Sequence, residues 1–177
     1  LFLYLSSLCI FGIFFLYIKH NVGNDTSISE WLINYQGGFT KRGLIGEIIT
    51  RLEARGLKIV ALKFASISKE SAEEHYGAHA GKPFFDGLVG FITSSPVVAI
   101  VLEGKGAVGL VRRTMGATDP SQADLGTIRG DFAQDMGRNI IHGSDSTESA
   151  SEEISRFFND DELLDYDRAL DWWVIES

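Results

Sequence analysis

Cysteine is almost missing from this chain. Cys9 is the only one among 177 residues, so neither an intrachain disulfide nor a cysteine-based zinc site can form. A reducing compartment is compatible with that count. Positive charge is also scarce, with 16 Lys and Arg against 24 Asp and Glu and a formal net charge of −8. The deficit is uneven: residues 1–42 hold three basic and two acidic residues, which leaves 13 against 22, a net of −9, for the remainder. Such a surface repels a nucleic-acid backbone on average, which argues against non-specific DNA or RNA binding. A local group of arginines can still hold a polyphosphate. The P-loop pattern, GxxxxGKS or GxxxxGKT, does not occur, no internal repeat is visible, and the chain does not open on Met.

What is present is a core-forming composition, 45% hydrophobic and 23% charged. The length suits one ordinary domain plus an extra segment, on a prior of roughly 100–200 residues per domain. The extra segment is residues 1–20. Residues 1–18 are apolar but for two serines, and Lys19 and His20 follow. That run sits at the lower edge of a membrane-spanning helix, which needs roughly 17–25 residues. A signal peptide competes, without a charged n-region or an obvious small-residue cleavage site. The tail of a longer membrane protein is the third reading. The membrane segment is favoured.

Residues 21–41 read as a polar linker in which 31–35 can form a short strand ended by Gly37 and Gly38. From Gly43 the periodicity sharpens. Leu44, Ile45, Ile48, Ile49 and Leu52 recur at helical spacing, with Gly56 placed as a C-terminal cap. A strand over 57–68, a short helix over 71–75 and a helix over 84–92 follow. The continuous apolar run 97–102 reads as a buried strand and 107–115 as a fourth helix. Residues 116–137 carry almost no periodicity and read as a long loop that function or packing must justify. Residues 139–141 are a brief strand candidate leading into His142. The last firm helix starts near Thr147, where Asp145 and Glu148 have capping-box spacing and Ala150, Ile154, Phe157 and Phe158 form the apolar stripe. The expected class is α/β (α+β), with helices on one face of an antiparallel sheet.

Three blocks carry a resemblance to a known family: RGLIGEIITRLEARGLKIVALK at 42–63, EEHYGAHAGKPFFDGLVGFITSSPVVAIVLEG at 73–104, and GTIRGDFAQDMGRNIIHGSDSTESASEEI at 126–154. From residue 42 to the C-terminus the chain resembles nucleoside diphosphate kinases, and NIIHGSDS is the most specific part. The resemblance implies a ferredoxin-like βαββαβ sandwich with a four-stranded antiparallel sheet, Mg²⁺-nucleotide substrates, ping-pong phosphoryl transfer and a hexamer or tetramer. It also implies a cytoplasmic kinase domain, with a membrane tether if residues 1–18 supply one.

A histidine nucleophile is chemically apt, since a neutral imidazole is a good nucleophile near pH 7 and its phosphoramidate stays reactive. His142 matches the family's nucleophile. Glu153 matches the group that bonds the other ring nitrogen, against the alternative of a solvated helix glutamate. Ser144 matches a hydroxyl near the ring, with helix N-capping as its alternative. Tyr76 aligns with a tyrosine beside the histidine, against a half-buried core tyrosine. Arg112 and Arg129 match phosphate-binding arginines, whose planar forks suit oxyanions, and Thr118 a hydroxyl donor to the same phosphates. Arg113 reads as a solvated helix face. Phe84 matches the base-stacking aromatic, with Leu88 and Met136 as apolar walls, Phe85 as core, and Asn139 as a sugar ligand.

The pattern breaks at the front. Where the family reads KPDGVQRGL, this chain reads QGGFTKRGL over 36–44, so Gln36 stands in place of a lysine that binds sugar and phosphate, and Gly37 and Gly38 replace the Pro-Asp pair. The NYQGGF stretch before Lys41 is reminiscent of a bacterial surface-polysaccharide type of membrane protein. Leu125 stands where the family usually has proline. An active kinase is the leading reading; a catalytically weak nucleotide-binding module of the same fold is the alternative.

Overall fold

The computed structural model describes residues 26–33, as backbone, and residues 42–169 and 171–174. The apolar segment 1–18 and Gln36 lie outside the described residues. Among those described, no helix is long and apolar enough to cross a membrane. In chain order the elements are β1 (Thr26–Ile33), α1 (Ile45–Glu53), β2 (Lys58–Ala65), α2 (Lys69–His75), α3 (Phe85–Ile92), β3 (Val97–Lys105), α4 (Ala107–Met115), α5 (Ile128–Phe132), α6 (Thr147–Phe157) and α7 (Asp171–Val174).

Strand β3 is the centre of an antiparallel sheet ordered β1-β3-β2. Its residues 97–102 are all buried, so the continuous apolar run serves both faces instead of alternating. β1 pairs along all eight of its residues, from Thr26 opposite Lys105 to Ile33 opposite Val98. It overlaps the expected strand at 31–33 but begins five residues earlier. β2 pairs with β3 from Lys58 opposite Glu103, with an irregularity between Ile59 and Ala61.

The helices bury one stripe each. Ile48 and Leu52 of α1, Val89 and Ile92 of α3, and Ala107, Val111 and Met115 of α4 are all nearly inaccessible. Each of these but Ala107 contributes about 1.5–3 kcal/mol over an exposed counterpart. Phe85, expected in the core, is only partly buried against it.

Two expectations need correcting. The sheet has three strands among the described residues, not four, because residues 139–141 are not extended. Ile140 has φ 76°, and the Ile141 amide donates to the Asn139 carbonyl at 2.9 Å, which folds the chain into a tight turn. The capping box of the last helix is Ser146 with Ser149, not Asp145 with Glu148. A serine one residue nearer the helix has the shorter reach to the free amide at Ser149, and Asp145 accepts from the Ser149 hydroxyl at 2.8 Å instead.

The long unpatterned stretch is ordered by short-range hydrogen bonds, not by periodicity. Asp119 caps the turn Pro120–Gln122, Thr127 caps α5, and Asp135 caps the turn Met136–Arg138. Asp131 of α5 accepts from the Gly126 amide and pairs with Arg51 of α1, which fastens the loop to the body.

Candidate active site

Three elements converge on His142. The turn at Ile140 delivers its ring, α6 brings Glu153, and the end of α2 brings His75 and Tyr76. His142 Nε2 lies 3.3 Å from Glu153 Oε1, and the Ser144 hydroxyl donates to Glu153 Oε2 at 2.9 Å. Ser144 is 2% exposed and does not cap α6, a duty that falls to Ser146. The Glu153 side chain is 14% exposed, which removes the solvated-glutamate reading. Burial alone would raise its pKa, but the bonds from His142 and Ser144 win and hold it below the ordinary glutamate value.

His75 was not singled out from the sequence. Its ring packs edge-on against His142 with centroids 5.3 Å apart, and against Phe157 at 5.7 Å. Burial, with the neighbouring His142 charge adding to it, pushes its pKa down to about 4, so it is neutral at pH 7. The available signal was its position directly before Tyr76 in the EEHY block. Tyr76 is buried, stacks on His79 with centroids 6.5 Å apart and meets the His75 ring edge-on at 4.6 Å.

A cleft of about 620 Å³ opens at the end of α4, lined among others by Arg112, Arg113, Thr118, Asp124 and Arg129. Arg129 is 7% exposed and donates to three backbone carbonyls: Gly116 at 2.9 Å, Asn139 at 3.4 Å and Ile141 at 2.7 Å. Among the described residues, two of its five N–H groups are left for an oxyanion. Burial, and then the charge of Arg112, lower its pKa to about 10, which leaves it cationic at neutral pH. Its bond to Ile141 ties the cleft floor to the residue before the histidine. The Asn139 amide donates to the Thr118 carbonyl at 3.1 Å, so both expected ligands share one rim.

Phe84, at the head of α3, is 54% exposed, with Lys82 Nζ 5.8 Å from its ring centroid. Met136 is 60% exposed and Leu88 is partly buried. Arg113 is exposed, as a solvated helix face should be, yet it also lines the cleft.

A family profile described as nucleoside diphosphate kinase matches residues 37–163. The nucleoside diphosphate kinase of Desulforamulus reducens is 62% identical over 136 residues, which cover 77% of this chain and 91% of the relative. That of Archaeoglobus fulgidus is 56% identical over 137 residues, with coverage of 77% and 91%. Among solved structures, a halophilic nucleoside diphosphate kinase from Halobacterium salinarum in complex with CDP superposes with a TM-score of 0.78 at 50% identity, over 86% of this chain and 99% of that one. A nucleoside diphosphate kinase family protein from Babesia bovis gives a TM-score of 0.79 at 36% identity, over 84% and 99%.

Proposed function

Because this chain belongs to the nucleoside diphosphate kinase family, we propose that it moves the γ-phosphate of a nucleoside triphosphate to a nucleoside diphosphate through a phosphohistidine at His142. The observation that carries this reading is the Glu153 carboxylate 3.3 Å from His142 Nε2. A carboxylate only accepts, so Nε2 keeps the proton and Nδ1 keeps the lone pair. In the first half-reaction Nδ1 bonds to the γ-phosphorus, the bond to the bridging oxygen breaks, and the diphosphate leaves. The second half-reaction reverses this with another diphosphate as acceptor.

Charge on the peripheral oxygens of the transferring group is met by Arg112, by the two free N–H groups of Arg129 and by the Thr118 hydroxyl. Tyr76 supports the histidine side of the pocket from beside His75. Phe84 stacks the base between walls from Leu88 and Met136, which accepts any base because each has a π-face. Asn139 serves the sugar. Mg²⁺ enters as part of the nucleotide substrate, since the cleft offers Asp124 against three arginines and so favours phosphate oxygens over a bare cation.

Homo-oligomer formation, as hexamer or tetramer, is part of the reading. Leu125, Trp172 and Trp173, exposed by 89%, 68% and 70%, are apolar surface that subunit contacts would cover, and light scattering measures the outcome. A cytoplasmic kinase domain tethered through residues 1–18 is tested by detergent-dependent solubility of the full chain.

The decisive experiment is γ-phosphate transfer from ATP onto the full chain with Mg²⁺. Acid-labile, base-stable label that disappears in His142→Gln is expected. Label that persists in that variant would move the nucleophile elsewhere.

A further inference from the structure

One nitrogen beside the nucleophile has no explanation in phosphoryl transfer. His75 Nδ1 is the one buried side-chain nitrogen or oxygen without a hydrogen-bond partner among the described residues. Such a group calls for a ligand or a role. His75 belongs to a set in which His75, His142 and Glu153 each present one donor atom, all within 4.8 Å of one another. We propose that these three side chains bind a divalent transition-metal ion of the zinc class, and that its binding and the phosphorylation of His142 exclude each other.

Bonds of about 2.0–2.1 Å in a tetrahedral site put neighbouring donors roughly 3.3 Å apart. His142 Nε2 and Glu153 Oε1 already stand at 3.3 Å. His75 has to close on them by no more than about 1.5 Å, within reach of a small ring rotation. The Ser144 hydroxyl on Glu153 Oε2 supplies the outer hydrogen bond that fixes a ligating carboxylate. The His142 side chain is 33% exposed, so a water or anion can fill the fourth position. Two imidazoles and one carboxylate select zinc-like ions, whereas Mg²⁺ prefers oxygen and does not compete here.

The exclusion follows from proton placement and rests on the phospho-His142 reading; the binding itself does not. A neutral imidazole has one proton and one lone pair. If the metal takes the lone pair of Nε2, the proton must sit on Nδ1, the atom that would attack phosphorus. Glu153 is also diverted to the ion.

Calorimetry of the full chain with ZnCl₂ in Mg²⁺-containing buffer tests the site, and Co²⁺ provides a spectroscopic reading on the unmutated protein. Expected are one Zn²⁺ per chain, an intense tetrahedral Co²⁺ absorption band, and weakening in His75→Ala beyond the roughly 10–100-fold that losing a supporting partner costs. His79→Ala should bind as the parent does. Phosphorylated chain, prepared with ATP and freed of nucleotide, should bind no Zn²⁺ at this site. Absence of the Co²⁺ band, or Zn²⁺ binding indifferent to His75→Ala, overturns the site. Equal binding by phosphorylated and unphosphorylated chain overturns the exclusion. Phosphohistidine formation measured without Zn²⁺ fails or succeeds separately, so loss of the kinase reading is not confused with loss of the metal site.

Discussion

At the scale of single residues, the chemistry turns on which nitrogen of His142 holds the proton. In the proposed reaction the Glu153 carboxylate, 3.3 Å from Nε2, would keep it there, and the Ser144 hydroxyl donates to Glu153. Replacing Glu153 with Gln keeps a polar partner but removes the charge that, in the proposed mechanism, stabilises the ring as it becomes phosphorylated. We expect kcat to fall about 100-fold or more in single-turnover labelling, and an unchanged rate would remove Glu153 from the mechanism. The sequence motif offered these residues, but their alternatives stayed open, because a serine before a helix caps and a helix glutamate is solvated more often than not. The structure gives the cap to Ser146 and turns the Ser144 hydroxyl to Glu153. His75 was hidden because a histidine on a short polar helix carries no pattern. It now predicts a pH effect. Its folded pKa of about 4 lies below the ordinary 6.5, so the unfolded chain takes up a proton first as pH falls. Stability is present in full above about pH 6.5 and declines toward pH 4. Each tenfold difference in proton affinity is about 1.4 kcal/mol. Urea midpoints at pH 7 and pH 5 should differ more in the parent than in His75→Asn, and equal differences would refute the assignment. At position 36, Gln36→Lys should raise kcat/KM; no change would mean that this residue does not face the sugar and phosphates.

At the scale of elements, periodicity located α1, α3, α4 and β3 closely, because each buries a stripe or run that repeats in sequence. The stretch 116–137 was illegible for the opposite reason. Its order comes from single polar contacts such as the Asp119, Thr127 and Asp135 caps, which leave no period to read. Gly116 joins α4 to this loop with φ +85°, and a Cβ there would collide with Thr127 Oγ1 and come within 2.8 Å of Thr127 Cβ. Thr127 cannot give way cheaply, since its hydroxyl accepts from the Gly130 amide and donates to the Asp124 carbonyl. Gly116→Ala should therefore cost about 2 kcal/mol or more, from the left-handed backbone and the lost cap together. It should also weaken nucleotide binding, because the Gly116 carbonyl holds Arg129. Thermal melts and nucleotide titration check the two effects, and a variant as stable as the parent would contradict the packing.

At the scale of the molecule, the family signal and the folded unit do not share a boundary. The profile match starts at residue 37, yet β1 ends at Ile33 and pairs with the central strand along its whole length. Residues that carry none of the family's opening pattern thus complete the sheet by backbone hydrogen bonds, which demand an extended chain and little particular sequence. That is why the substitution was hard to judge from composition: register is a property of the pair, not of one strand. Without β1, one edge of β3 from Val98 to Lys105 loses its partners, and helices α4 and α6, which pack against β1, lose a support. Stability margins are only about 5–15 kcal/mol, so removing one of the three strands among the described residues should exhaust most of it. A chain lacking residues 1–33 should lose its cooperative melt in circular dichroism and fail to become labelled by ATP, whereas one lacking residues 1–20 should keep both. Equal melts for the two truncations would show that the kinase body folds without this strand.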